Sequence, residues 1–530
     1  MTSEEGERRL AAIMYTDIVS YTALTQKNES ATVKLLEEHR RLIRPLFVSH
    51  GGREIKTMGD GFLVEFNSAL DAVLCSVAIQ QVMHDAFFAD GVTDEIISAV
   101  AGISALNVIS RTSVVGYKGT TKKVEEIGRE LKVGSILEGT FKKAGNKIRV
   151  TTQLIDVAND RHLWAQNYDR NLDDVFEVQS DVAKQVAEAL RVRILAPENE
   201  RIEKKPTEST EAYTLYLKGR HYWNMRYSGS VKETLESLKN ALNCFEQAVA
   251  EDPRFAPGYA GQADYYLILR NNYGIEPEAN LKKFKEMVGK ALELDPELGE
   301  AHATKGLVLA TEYSFKDAES ELRKAIELKP SYGMAHYWYF LMLFWEVRWD
   351  EALEQIEKAL ELDPLWPQFS IGLALFYRRR RDYGKALELY RRVIELGMEA
   401  HEDVAHVYGR MKMYADMRRE FAAWVELEQG SLPFARTHAD FYTAYYENDT
   451  ERCRDLLPEL EADFGETGFY AYDVARAYFC LGENEKGFEW LERSYSKREL
   501  SLCHVKSSPQ LDGVRNDPRY LDLVKRLGLS

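Results

Sequence analysis

A repeated motif in the second half of the chain constrains the fold more than any other feature. Glu-Leu-Asp-Pro ends at Pro296 and again at Pro364, and Glu-Leu-Lys-Pro ends midway between them at Pro330. This spacing of 34 residues predicts one helical hairpin per repeat. Because a single hairpin cannot bury its hydrophobic face alone, the repeats must stack, and an all-α solenoid is expected.

Small residues recur where the two helices of a repeat must approach closely, as at Ala318 and Ala325 before Pro330. In its period and in these positions the segment resembles the tetratricopeptide repeat. That resemblance implies a protein or peptide ligand for an array of about seven units over residues 207–506. A charged, proline-bounded linker is predicted at residues 197–206 and a capping helix at residues 507–530.

Two clusters within the array have both a structural and a functional interpretation. The aromatic residues between Tyr332 and Trp349 could line a binding groove, but helical repeats bury aromatic residues routinely, so inter-helix core is the main prediction. Residues 378–381 are four consecutive arginines. They could bind an acidic peptide, although a solvated turn is the main prediction.

Composition excludes several classes of function. The formal net charge of -16 argues against nucleic acid as the main partner. Five scattered cysteines contain no Cys-x-x-Cys pair, which argues against a zinc knuckle. The acidic amino terminus lacks the apolar run of a signal peptide, and no apolar segment of about 18 residues could span a bilayer. A cytoplasmic location is therefore expected.

The first 84 residues predict the order strand, helix, strand, strand, helix. A short apolar run predicts a strand, and Asp17 follows it in a polar loop. Apolar residues then recur at helical spacing up to Gly51, which predicts a helix. Residues 53–66 follow, with two strand-like runs around Gly59-Asp60-Gly61. This pattern predicts a β-hairpin with a carboxylate at its tip, and such an Asp taken alone is more often a simple turn former.

Two motifs in this region, Tyr-Thr-Asp-Ile-Val-Ser-Tyr-Thr and Lys-Thr-Met-Gly-Asp-Gly-Phe, resemble the first half of a class III adenylate/guanylate cyclase catalytic domain. The resemblance implies a ferredoxin-like α+β fold and two metal ions, Mg²⁺ or Mn²⁺, held against ATP by Asp17 and Asp60. Hard oxygen ligands suit these ions. The resemblance further assigns Ile18 to the metals. It assigns the following residues to substrate binding: Val19, Ser20, Tyr21, Thr22, Lys56 and Gly59.

Lys56 occupies the position that selects the purine in the cyclase family, and lysine there implies adenine; the alternative is a solvated charge on a strand. The resemblance stops after Met83. No stretch follows that supplies the Asn and Arg of the second half, so no catalytic residue is assigned. One such donor is worth roughly 3 kcal/mol of transition-state stabilisation, and a self-sufficient cyclase is therefore not expected. A complete cyclase subunit could supply the missing groups.

Residues 85–196 contain Phe-Ala-Asp-Gly-Val-Thr-Asp-Glu, Ile-Leu-Glu-Gly-Thr and Gln-Leu-Ile-Asp. These motifs resemble a TolB amino-terminal-like α/β module, which implies no catalysis. Helices are expected at 88–101 and 121–131, a short strand at 107–110 and a hairpin around residue 145. The module lacks its usual opening strand where the cyclase-like half ends, so a hybrid junction near residues 84–85 is predicted.

Two functional hypotheses follow from the sequence. The first is a signalling protein with a cyclase-derived half-site for ATP and metal, coupled to the repeat array. The second is a non-catalytic scaffold in which the array binds peptide partners and the amino terminus is a structural relic. Metal-dependent ATP binding would distinguish them.

Overall fold

The computed structural model describes residues 12–16, 29–58, 61–66, 68–118, 120–144, 146–225, 231–273, 275–395, 398–427, 435–467 and 471–529. These residues form a small α+β region with two separate three-stranded sheets, followed by a long helical solenoid. The predicted fold class is confirmed at that level. No helix in these ranges is long and apolar enough to cross a membrane.

The first sheet is antiparallel, with strand order β1-β3-β2 for β1 (Ala12–Thr16), β2 (Gly52–Met58) and β3 (Gly61–Phe66). Helices α1 (Glu29–Ser49) and α2 (Ala69–Ala101) pack on one face of it. Their shared core is fully apolar because alternate β3 residues point toward the helices. Its buried members are Ile43, Phe47, Phe62, Val64, Phe66 and Cys75. The predicted order of strands and helices is confirmed.

Helix α2 departs from the sequence prediction. Two helices were expected, ending at residue 83 and beginning at residue 88, but one helix of 33 residues runs through both. No proline interrupts this sequence, and the single Gly91 sits where the helix crosses another helix: a Cβ at Gly91 would lie 2.7 Å from Leu217 Cβ. At 1.5 Å per residue the helix is about 50 Å long. Cys75 belongs to the core of the first sheet, and Phe88 to a second core.

The second sheet is an antiparallel meander, β4-β5-β6. Strand β5 alternates exposed and buried residues, and its inward side chains pack against an amphipathic helix through Val150 and Val182. The elements of this region are β4 (Ser135–Ala144), β5 (Lys147–Asp156), β6 (Arg161–Asn171), α3 (Arg111–Val114), a 3₁₀ turn (Val115–Tyr117), α4 (Val124–Leu131), a second 3₁₀ turn (Leu172–Asp174) and α5 (Val175–Ala189).

The stretch predicted as a linker at residues 197–206 is mostly helical. Helix α6 (Ala196–Glu203) occupies its first part, and Glu198 is buried there. Its carboxylate accepts hydrogen bonds from the amides of Leu195 at 2.8 Å and Ser104 at 3.0 Å. The bond from Ser104 ties this segment to the chain that follows helix α2.

The solenoid contains eight antiparallel helical hairpins among the described residues, one more than predicted from the repeats. In chain order the pairs are α7 (Thr210–Met225) with α8 (Val231–Glu251), α9 (Ala256–Tyr273) with α10 (Pro277–Leu294), α11 (Gly299–Thr311) with α12 (Phe315–Leu328), α13 (Gly333–Glu346) with α14 (Trp349–Leu362), α15 (Pro367–Arg379) with α16 (Tyr383–Glu395), α17 (His401–Arg410) with α18 (Tyr414–Leu427), α19 (Ala435–Tyr446) with α20 (Thr450–Thr467), and α21 (Ala471–Cys480) with α22 (Asn484–Ser496).

Small residues lie at the helix crossings, as the repeat pattern predicts. A Cβ at Gly306 would lie 2.6 Å from Leu322 Cγ of the partner helix, so only glycine permits this approach. The aromatic residues of α13 are mainly core: Phe340, Phe344 and Trp345 are buried. The prediction of inter-helix core for this cluster is therefore confirmed.

The carboxyl-terminal residues fold back onto the middle of the solenoid. They comprise 3₁₀ turns at Leu500–Lys506 and Pro509–Val514 and helix α23 (Pro518–Arg526). The ring centroids of His504 and Phe344 are 5.7 Å apart, and Lys506 Nζ donates to the Glu346 carbonyl at 3.2 Å.

Candidate functional site

One end of the first sheet brings together the chain segments that the sequence assigns to a metal and nucleotide site. In the β1–β3 ladder Thr16 is opposite Phe62, and in the β2–β3 ladder Met58 is opposite Gly61. The segments that follow Thr16 and Met58 therefore leave the described strands at the same end of the sheet. The assigned residues Asp17, Ile18, Val19, Ser20, Tyr21, Thr22, Gly59 and Asp60 lie outside the described residues.

Lys56 is the one assigned residue that the structure describes, and it is exposed. It pairs with Leu63 across the ladder, just after a register shift between Glu54 and Lys56. Cross-strand partners share a face of the sheet, so Lys56 lies on the same face as Leu63, opposite the buried Phe62 and Val64. Its ammonium group makes no ion pair or hydrogen bond within the described part of the chain.

The charged neighbours of Lys56 are paired. Arg44 Nε donates to Glu54 Oε2 at 3.0 Å, and Thr57 Oγ1 donates to Glu54 Oε1 at 2.5 Å. The bond from Arg44 is the largest influence on Glu54 and lowers the pKa of its carboxyl. Arg53 binds Glu65 across the ladder at 2.5 Å. Among the described residues, Lys56 is thus a positive charge without a partner beside two ion pairs.

Residues 104–113 form a second arrangement of polar contacts, here called the docking segment. The sequence predicts a strand at 107–110, but the backbone there joins no sheet. Instead the Ser110 amide donates to the Leu362 carbonyl at 2.9 Å, and Ser331 Oγ donates to the Leu106 carbonyl at 2.9 Å. The strand prediction is wrong because the solenoid provides the hydrogen-bond partners that a sheet would otherwise supply.

Asp363 anchors the docking segment to the solenoid. Its carboxylate accepts hydrogen bonds from the hydroxyls of Ser110 and Ser113, and the amide of Leu365 donates to Ser113 Oγ at 2.9 Å. Burial, the largest influence, raises the pKa of Asp363, and the serine hydrogen bonds oppose that rise. Nearby, Asn107 Nδ2 donates to the carboxylate of Glu361 at 2.7 Å.

A third polar arrangement lies inside the solenoid at the end of α15. Arg378 Nη1 donates to Asp403 Oδ1 at 2.6 Å. Arg379 has no ion pair or hydrogen bond with any described residue, and its Nε is buried. Burial and the positive charges of Arg378 and Arg476 lower the pKa of Arg379 to about 9. A solvated turn over residues 378–381 is therefore wrong for its first two residues.

Sequence reasoning missed the docking segment and the inner arginine. Asp363 belongs to the repeated Glu-Leu-Asp-Pro motif and could have been singled out for that reason, but its partners Ser110 and Ser113 are about 250 residues away in the sequence. Arg379 could not be separated from its exposed neighbours by composition alone.

Two parts of this chain match models of known protein families. Residues 5–172 match the family model described as adenylate and guanylate cyclase catalytic domain, and residues 348–401 match a tetratricopeptide repeat model. The cyclase match extends beyond residue 84 and covers the second sheet. A TolB amino-terminal-like module is not among the family matches.

Among curated proteins, "Putative adenylate cyclase 3" of Rhizobium meliloti (strain 1021) is 27% identical over 449 residues, which cover 60% of this chain and 75% of that protein. An adenylate cyclase of Podospora anserina is 38% identical over 71 residues, covering 13% of this chain and 3% of that protein. A receptor-type adenylate cyclase of Trypanosoma congolense is 39% identical over 61 residues, covering 12% and 8%.

Among solved structures, Pseudomonas aeruginosa pilF is 22% identical, with a TM-score of 0.31 over 39% of this chain and 93% of that chain. The human IFIT1 dimer with m7Gppp-AAAA is 17% identical, with a TM-score of 0.38 over 67% and 82%. The chain thus joins a cyclase catalytic-domain segment to a tetratricopeptide interaction array, and this combination is that of a signalling protein.

Proposed function

We propose that the amino-terminal region is a half-site for ATP and a divalent metal, derived from an adenylate cyclase. Asp17, Asp60 and the backbone of Ile18 would hold Mg²⁺ or Mn²⁺, which would neutralise the phosphates. Residues 19–22 and Gly59 would contact the phosphates through backbone amides, and Lys56 would contact adenine.

The single observation that supports this proposal is the geometry of the first sheet. Its ladders bring the ends of β1 and of the β2–β3 hairpin to one place, and Lys56, which pairs with no described residue, lies on the sheet face opposite the helices. The Lys56 side chain is exposed on that face and is therefore accessible to an external ligand.

We further propose that this chain does not convert ATP alone and lends its half-site to a complete cyclase subunit. The proposal rests on the sequence after Met83, where we find no segment that resembles the Asn and Arg stretch that stabilises the transition state in cyclases; the family match to residue 172 weighs against it. A ferredoxin-like topology for residues 1–84 and a TolB-like origin for residues 85–196 belong to the same proposal. Helix α2 would then be the hybrid junction, since it passes through residues 84–85 without a break.

The test is a titration of the full chain with Mn²⁺ and ATP, with Asp60→Ala as the disabled variant. We expect saturable, metal-dependent ATP binding that Asp60→Ala abolishes and that Lys56→Ala weakens. Arg53→Ala is the matched control, because it removes a charge from the same strand and face but breaks only the pair with Glu65. Equal binding by the wild type and by Asp60→Ala would refute the half-site.

A cyclic AMP assay separates the two forms of the proposal. Product from the isolated chain would refute the dependence on a partner. That outcome would agree with the cyclase family match, which extends to residue 172. Product that rises when the chain is mixed with a complete cyclase, and not when Asp60→Ala is mixed with it, would support a shared site.

A second candidate function is that of a non-catalytic scaffold whose array binds an acidic protein or peptide. Arg379 supports it, because its buried Nε has no hydrogen-bond partner among the described residues, which is costly unless a ligand supplies one. We expect Arg379→Ala to weaken the binding of a fluorescent acidic peptide more than Arg380→Ala does, since Arg380 is exposed. Equal effects of the two substitutions would refute a specific role for Arg379.

A further inference from the structure

Three side chains that could ligate a metal converge between two neighbouring hairpins of the solenoid. Glu402 and His406 lie one turn apart on α17, and His438 lies on α19, the first helix of the next hairpin. Their ligand atoms all lie within 4.8 Å of one another. No other group of three such residues meets this condition within the described ranges.

Two of the ligand–ligand distances are close to those of a tetrahedral metal site. Glu402 Oε1 lies 3.2 Å from His438 Nε2 and 3.5 Å from His406 Nε2. In a tetrahedral zinc site with metal–ligand bonds of about 2.0–2.1 Å, two ligand atoms are about 3.3–3.4 Å apart. A carboxylate that merely accepts hydrogen bonds from two imidazoles would be expected at 2.7–3.2 Å from each, and the His406 contact is longer than that range.

Two neighbouring tyrosines orient His406 and His438 for metal binding. The hydroxyl of Tyr446 lies 3.1 Å from His406 Nδ1, so it can accept that N–H and leave the Nε2 lone pair directed at the site. Such an outer hydrogen bond is the usual means of orienting a histidine that binds metal. Tyr442 packs against both imidazoles, with ring centroids 4.7 Å from each. These contacts restrict both rings.

The site has one open side. His406 and His438 are buried, but the side chain of Glu402 remains 36% exposed. This exposure provides an entry path and a position for a water molecule or an external ligand as the fourth donor. The adjacent Asp403 binds Arg378 at 2.6 Å, and among the described residues Glu402 is the one carboxylate that belongs to the group of three.

We propose that Glu402, His406 and His438 bind one divalent transition-metal ion of the Zn²⁺ class. Two imidazoles and one carboxylate favour such an ion over Mg²⁺, which prefers six oxygen ligands. Because the ligands come from consecutive hairpins, the ion cross-links the sixth and seventh repeats. The site is separate in sequence and in chemistry from the proposed ATP half-site.

The test uses Co²⁺ as a spectroscopic substitute for Zn²⁺ in the full chain after dialysis against a chelator. We expect one tetrahedral Co²⁺ per chain, seen as intense visible bands that Zn²⁺ displaces and Mg²⁺ does not. His438→Gln and Glu402→Gln should abolish the bands. Tyr446→Phe removes only the outer hydrogen bond and should weaken binding by about 10-fold.

His302→Gln is the matched control. His302 also contacts a glutamate on a neighbouring helix, at 2.5 Å from Glu321, but no second histidine in the described part of the chain completes that pair into a group of three. Its cobalt spectrum should equal that of the wild type. Absence of tetrahedral bands in the folded wild type, or bands of equal intensity in His438→Gln, would overturn the proposal. Circular dichroism confirms folding, and if His438→Gln is unfolded, the comparison of Glu402→Gln with His302→Gln decides.

Discussion

Asp363→Asn tests whether the docking segment is held to the solenoid by one buried carboxylate. Asp363 is 4% exposed and accepts hydrogen bonds from Ser110 and Ser113. A hydrogen bond to a charged group contributes about 1.5–3 kcal/mol, so the two bonds together are worth about 3–6 kcal/mol. Asparagine keeps one acceptor oxygen and is less costly to bury. We therefore expect a net loss of about 2–4 kcal/mol in the docking free energy.

Hydrogen exchange at single residues measures this loss. The Ser110 amide, which donates to the Leu362 carbonyl at 2.9 Å, reports opening of the docking segment directly. A change of 2–4 kcal/mol corresponds to about 30- to 1,000-fold faster exchange when local opening controls the rate. Amides within α14 should keep their exchange rates, since their hydrogen bonds are internal to the helix.

Asp295 provides the matched control for this substitution. It occupies the same position of the Glu-Leu-Asp-Pro motif two repeats earlier, but it binds Lys204 at 2.7 Å and not the docking segment. Asp295→Asn should leave the exchange of Ser110 unchanged. If Ser110 exchanges at the wild-type rate in Asp363→Asn, or equally fast in both variants, then the serine–aspartate contacts do not hold the segment.

Three further predictions concern the solenoid itself. Hydrogen bonding from Arg348 lowers the pKa of Glu319 from 4.5 to about 2, so Glu319 stabilises the fold above pH 4.5 and loses this effect as the pH falls toward 2. Urea titrations should show that Glu319→Gln costs about 2–3 kcal/mol at pH 7 and much less near pH 2. Gly409→Ala places a methyl group against the Tyr446 ring and should cost about 1–3 kcal/mol in the same assay, with weaker Co²⁺ binding. The Cys503 thiol is fully buried and burial raises its pKa, so a thiol reagent should label it only after the chain unfolds.

The sequence predicted the features that depend on local pattern. The repeat spacing located the helical hairpins, and alternating apolar residues located the β2–β3 hairpin and the β4–β5 hairpin. Two predictions, the strand at residues 107–110 and the break in helix α2, were wrong because local pattern does not decide them. The strand expected at residues 107–110 depended on whether a sheet or the solenoid would supply partners for Ser110, and that choice is made by residues about 250 positions away.

The second error, the break expected in helix α2, came from treating residue 84 as a boundary between two families of motif. Helix propensity continues through that point without a proline, and only packing could show that Cys75 and Phe88 belong to different cores on one helix. The group of Glu402, His406 and His438 could not be predicted from the sequence either. Glu402 and His406 have a visible helical spacing, but His438 joins them only because α17 and α19 pack side by side.

These features together suggest how the two parts of the chain are coupled. Helix α2 enters the core of the first sheet at Cys75 and meets the first hairpin at Gly91, and the docking segment begins three residues after the helix ends. A packed helix transmits displacement because its core contacts are not continuously deformable. A change of solenoid curvature between Ser331 and Asp363 would act on the docking contacts, which lie close to the end of α2. Because α2 also packs in the first core, we propose this helix as the route by which binding to the array would act on the proposed ATP half-site.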